Sequence, residues 1–124
     1  WSSRSGENAA AQLLQQYPAI DAVFAANDQM ALSSIAVARR MGRGVPDSLA
    51  VVGFDGIAES AYFFPSLTTV QQDLHQLGAQ AVQQLVSIVE ALRSASNHQE
   101  PQAVSIEPQL IIRDSSPVRA SSEQ

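Results

Sequence analysis

The chain has 124 residues, 45% of them apolar, with 7 basic against 12 acidic side chains and no cysteine. That length suits one modest domain with its own core. The formal net charge of −5 argues against this segment touching DNA or an anionic membrane, because phosphate binding needs clustered Lys and Arg. Disulfides, thiolate chemistry and cysteine-built zinc sites are excluded, and no stretch approaches the roughly 18 apolar residues of a membrane span.

The arginines, Arg4, Arg39, Arg40, Arg43, Arg93, Arg113 and Arg119, are scattered. The group Arg39, Arg40 and Arg43 closes a predicted helix, where cations complement the helix dipole. The chain opens on Trp1-Ser2-Ser3 rather than on Met and has no signal-like start, so it reads as processed or as a piece of something longer.

In chain order, SGENAAAQLLQQ (5–16) reads as a helix of good formers that Ser5 or Gly6 can begin. Tyr17-Pro18 ends it, since the residue before proline avoids the helical region. Val23 to Ala26 form a short apolar run, as expected for a strand buried on both faces of a parallel sheet. DQMALSSIAVARRMGRG follows as a helix, with Asn27 or Asp28 able to cap it and Gly42 placed for a left-handed end. Leu49 to Phe54 is a second buried strand. The alternation predicts a parallel α/β sheet, in which ligands bind outside the carboxyl ends of the strands. Asn27 ends one strand and Asp55 the next, so both polar side chains are expected on that edge.

Residues 56–67 read as a long loop carrying the aromatics Tyr62, Phe63 and Phe64, and TTVQQ as a short extended run. Asp73 begins the clearest helix, with Gln76 three residues on as in a capping box. Leu74, Leu77, Ala81, Val82, Leu85, Ile88, Val89 and Leu92 keep helical period to about Arg93. SASNHQEPQ is a polar linker, AVSIEPQLIIRD one or two strands broken at Pro108, and SSPVRASSEQ (115–124) a low-hydrophobicity tail expected to be disordered. Few strands remain for so many elements, which implies that earlier strands of the domain lie outside this sequence.

Two stretches carry a resemblance: FAANDQMALSSIAVARRMGRGVPDSLAVVGFDG and FFPSLTTVQQDLHQLGAQAVQQL. With their motif chain AND.MA…G…VP…..VVGFD……P.LTT..Q, they closely resemble the lactose/galactose-repressor family of bacterial regulators, over Trp1 to about Asp114. The resemblance implies an α/β fold with parallel-sheet βα layers of a periplasmic-binding-protein-like lobe. That lobe is α/β/α in three layers, incomplete at its N-terminus, with a crossover helix from the other lobe. The C-terminal portion of the effector-binding domain would occupy 1–114. In the family, the Asn or Asp of AND, the Asp after VGF/Y and the Gln of TT..Q face the ligand, and an aromatic ahead of the preceding helix stacks on it. By residue type these imply Asn27, Asp55, Gln72 and Trp1 as effector-binding residues, with helix capping left to Asp28. A family arginine that grips the effector would lie upstream.

The resemblance further implies a small polar effector of the sugar class, a homodimer, operator DNA bound through an N-terminal helix-turn-helix not in this chain, no membrane partner and a cytoplasmic location. The helix over 29–41 is apolar nearly all round. With the aromatic loop, it suggests Met30, Leu32, Ile35, Tyr62 and Phe63 as dimer-interface residues. His75 and His98 have no nucleophile or acid at a recognised spacing, no cluster of metal ligands is present, and GRG lacks phosphate-loop spacing. No enzyme, cofactor or metal is expected. A periplasmic sugar-binding protein of a transport system is the alternative on the same fold.

Overall fold

A computed structural model describes residues 1–93 and 103–117. The chain divides into two compact units: residues 1–71 with the segment from Gln109 onward, and Gln72–Pro108.

In the first unit, helix α1 (Ser3–Gln16) begins two residues earlier than the sequence suggests. Ser2 caps it in a capping box with Ser5, each side chain reaching back to the other's backbone N–H. The helix ends at Tyr17, as the following proline requires. Strand β1 (Ala22–Phe24) leads to α2 (Asp28–Arg40), and α2 to β2 (Ala50–Asp55). Gly42 takes φ +73° after α2, and Arg43 N–H returns to Ala38 O at 2.9 Å, closing the helix as expected. A 3₁₀ turn, Ala58–Tyr62, joins β2 to β3 (Thr68–Gln71).

The sheet order is β1-β2-β3-β4. β1, β2 and β3 are parallel, and β4 (Gln109–Ile111) adds an antiparallel edge. Among the described residues the AVSIEPQLIIRD stretch thus gives one strand, starting after Pro108. The proline separates it from the irregular 103–108.

Register decides the two faces, since paired residues share a side. Val23 and Val51 lie together, as do Gly53, Thr69 and Ile111. This face meets Ala10 and Leu14 of α1 and Ala31, Ile35 and Ala38 of α2 in one core with Leu49 and Leu67. Phe24 and Phe54 point to the other side and meet edge to face at 6.3 Å, with Val52, Val70 and Leu110 beside them. β1, expected to be buried on both faces, therefore leaves Phe24 64% exposed.

The second unit holds α3 (Leu74–Arg93). Asp73 caps it, its carboxylate accepting the Gln76 N–H at 2.8 Å. Its periodic apolar residues stand at the surface, and no residue of the helix is buried. The polar linker (94–102) and residues 118–124 lie outside the described residues.

The tail expected from 115 onward begins instead as a clasp. Ser115 is fully buried. Its hydroxyl donates to Val51 O (2.6 Å) and accepts the Thr68 N–H (2.8 Å), tying the amino ends of β2 and β3 together. Arg113 adds bonds to Ser60 Oγ and Leu67 O. Hydropathy could not reveal this segment, because hydroxyl and backbone groups hold it rather than apolar burial. Ser115→Ala leaves two buried backbone groups short of a partner and should lower the unfolding free energy by about 2 kcal/mol. Chemical denaturation would read this, and a loss below about 0.5 kcal/mol would mean that water replaces both bonds.

Candidate functional site

β1 and β2 pair with Phe24 opposite Val52. Asn27 and Asp55 each come three residues later, so the parallel register delivers them level at the carboxyl edge. The chain leaves the sheet differently at each point.

After β1 it turns directly into α2. Asn27 is extended (φ −155°, ψ 168°), and its Oδ1 accepts the Met30 N–H at 2.8 Å. Asn27 is therefore the helix cap, reversing the expected division of labour with Asp28. It is 8% exposed, and its Nδ2 donates to no described residue.

Asp28, fully buried, reaches away from its own helix. Its Oδ2 accepts the Ile57 N–H (2.8 Å) and its Oδ1 accepts the Thr69 hydroxyl (2.6 Å). Geometry explains the exchange. An extended cap residue folds its side chain back onto the third helical amide, and with that amide taken by Asn27 the Asp28 carboxylate is turned to Ile57 and Thr69.

After β2 the backbone enters the left-handed region twice, at Asp55 (φ 104°) and Gly56 (φ 73°). For a non-glycine residue this conformation costs on the order of 1–3 kcal/mol, and such outliers gather at functional sites. Gly56 lies so flat on β3 that an added Cβ would fall 2.5 Å from Gln71 Cγ. An added Cβ on Gly53 would strike Asp28 Oδ1. Both glycines of VVGFDG are thus demanded by close approach, and Asp55 sits between them, partly buried.

Trp1 precedes α1, whose first turn rests on the first turns of α2. Ser33 Oγ donates to Ser3 O at 2.7 Å, and Gly6 presses against Met30. This places Trp1 at the same end of the unit as Asn27 and Asp55, 90% exposed. Gln72 belongs to the second unit. Two cavities, of about 420 and 390 Å³, open instead at the amino ends of the strands. Neither is lined by Asn27 or Asp55.

The residues suggested for a dimer interface separate. Ile35 is buried in the core at 5% exposure, and Met30 and Phe63 pack against it. Leu32 (39%) and Tyr62 (88%) remain outside. Phe64, not among those residues, is 78% exposed with the Arg39 guanidinium 5.4 Å from its ring centre. His75 is exposed on α3, and His98 lies outside the described residues. Among the described residues no group of three His, Cys, Asp or Glu side chains could hold a metal ion. No described helix is long and apolar enough to cross a membrane.

A mostly parallel open sheet with helices on one face and two polar strand ends on one edge is an α/β lobe. The chain belongs to the periplasmic binding protein-like domain family, whose model matches residues 2–116, and it corresponds to the C-terminal part of the effector-binding domain of the lactose/galactose-repressor regulators. It is 37% identical over 119 residues to the lactose operon repressor of Klebsiella pneumoniae, matching 96% of this chain and 29% of that protein. It is 36% identical over 111 residues to the transcriptional repressor PurR of Escherichia fergusonii, matching 90% and 31%. The chain therefore spans about a third of the length of these relatives. Among solved structures it is similar to the regulator CelR in complex with cellobiose, with a TM-score of 0.85 at 34% identity over 94% of this chain and 34% of that one. It is also similar to a LacI family regulator from Arthrobacter in complex with lactose, with a TM-score of 0.77 at 31% identity over 93% and 42%.

The strain at Asp55 has a direct consequence. Asp55→Gly and Asp55→Ala both remove the side chain, but only glycine relieves the positive φ. The glycine variant should be the more stable by about 1 kcal/mol in urea unfolding, reversing the usual order of these residues in strands. The ordinary order, alanine above glycine, would mean that the backbone at Asp55 is unstrained.

Proposed function

We propose that this chain forms part of the effector-binding and dimerising domain of a transcriptional regulator, and that it holds a small hydroxylated effector of the sugar class at the carboxyl edge of its sheet. The placement of Asn27 level with Asp55 on that edge carries the reading. A sugar hydroxyl donates one hydrogen bond and accepts others. Asn27 has its Oδ1 engaged by the Met30 N–H, so its Nδ2 is the group to donate to a ligand, and an ionised Asp55 carboxylate can only accept. Amide and acid thus complement the two halves of a hydroxyl. The indole of Trp1, 90% exposed at the same end, offers a flat apolar face for the C–H side of a sugar ring. Gln72 is a fourth candidate contact on the strength of the family resemblance alone.

The cellobiose and lactose complexes of similar regulators support the sugar class. The curated relatives are repressors, which favours a cytoplasmic regulator over a transport-linked binding protein and over an enzyme. In such a regulator the effector shifts the balance between open and closed lobes only by its differential affinity for the two. Exposed Leu32 and Tyr62 are the contacts of a homodimer, with Met30, Ile35 and Phe63 packed behind them. Operator DNA is bound by a helix-turn-helix outside this chain.

The test is ligand-linked stability of the full-length protein with lactose and cellobiose. A bound sugar at 100 times its Kd should raise the unfolding free energy by about 2.7 kcal/mol. Asp55→Ala should abolish that shift while the unliganded protein unfolds near wild type. A variant still stabilised in full by the same sugar would remove Asp55 from the site.

A further inference from the structure

We propose that Asp28 is a positioning residue that holds Asp55 in its ligand-presenting conformation. The inference rests on the reading of Asp55 as an effector contact. The loop after β2 begins with two consecutive left-handed residues and reaches Ile57, whose backbone is extended (φ −61°, ψ 148°). Its N–H is the first point after Asp55 where the loop is tied by a side chain from another element, and that side chain is Asp28.

Helix capping does not account for this residue, because Asn27 already occupies the Met30 amide. Both Asp28 carboxylate oxygens are spent off the helix, one on Ile57 and one on Thr69 of β3. The carboxylate is fully buried, and Gly53 clears the space it needs. Thr69 fixes one oxygen against β3, and the other then fixes where the loop ends. Gly56, flattened on Gln71, constrains the loop from two residues further along the same strand. Between these two restraints Asp55 cannot relax to a negative φ without breaking the Ile57 bond or lifting Gly56 off β3. Asp28 also opens α2, whose cap is Asn27, so one dipeptide sets both polar strand ends.

The experiment is amide hydrogen exchange together with lactose and cellobiose binding, in the full-length protein. In Asp28→Ala, exchange at the Ile57 amide should rise at least about 10-fold, while the ladder amides of Val52 and Phe54 change by less than about 2-fold. The affinity for whichever sugar binds should fall by at least about 10-fold. Asp28→Asn should restore both, since its Oδ1 can accept from Ile57 while its Nδ2 donates to a Thr69 hydroxyl turned to accept. A purely structural role would slow or speed all these amides together and would not separate Ile57 from its neighbours. If Asp28→Ala does not fold, Thr69→Val removes only the strand anchor and should still raise Ile57 exchange by at least about 3-fold. An Ile57 amide protected as in wild type in these variants overturns the proposal, as does a freed Ile57 with sugar affinity unchanged. Asp55→Ala separates the two readings: if it binds sugar as wild type does, the effector role of Asp55 fails, and the exchange at Ile57 alone then decides what Asp28 holds.

Discussion

The parallel register of β1 and β2 is the constraint on which the rest of this unit depends. Pairing Phe24 with Val52 brings two chain ends to one edge at the same height. A one-residue slip of β2 would turn Val52 and Phe54 inward and drive Val51 and Gly53 outward, exchanging core for surface. Gly53 guards against that slip, because only a residue without a side chain can face Asp28 there. The packing that fixes the core is therefore the same packing that aligns the two polar termini.

Each terminus then meets its own backbone problem. After β1, four helical amides need partners, and Asn27 supplies one. After β2, the chain must fold back across β3 without a long helix, and it does so through positive φ at Asp55 and Gly56. The buried Asp28 carboxylate connects the two solutions, since it starts α2 and ends the β2 loop. A buried carboxylate is tolerated only when its oxygens are hydrogen-bonded, and here an amide and a hydroxyl provide those bonds. The amide takes one oxygen and the hydroxyl the other.

Much of this was legible in the sequence, for reasons particular to each element. Tyr17-Pro18 and Gly42 marked helix ends because proline and glycine act through backbone geometry alone. The alternation of βα units and the short apolar runs gave the shared edge, hence Asn27 and Asp55. The Asn27-Asp28 assignment was not legible, since both types cap helices and only the third dimension shows that Asp28 faces Thr69 and Ile57. The helix predicted over 29–41 reads as apolar nearly all round, so its composition could not say which side α1 covers. Gly6 against Met30 and the burial of Ile35 settle that side. Ser115 was invisible because its contribution is two hydrogen bonds from one small hydroxyl.

The arginines close the argument about charge. Arg39, Arg40 and Arg43 read as one cationic cluster serving a helix end, yet each has a separate partner. Arg39 lies over Phe64, Arg40 pairs with Glu7, and Arg43 donates to the carbonyls of Ile20 and Ser48. Arg113 is engaged in the C-terminal clasp. The exposed Arg40–Glu7 pair contributes little to stability, but Arg43 joins the loops before β1 and β2 and so helps set the register from the amino end. Four cations are thus committed within an acidic segment. Phosphate contacts need lysines and arginines free to replace condensed counterions. Held by partners within the unit, these four arginines form no free cationic face of that kind.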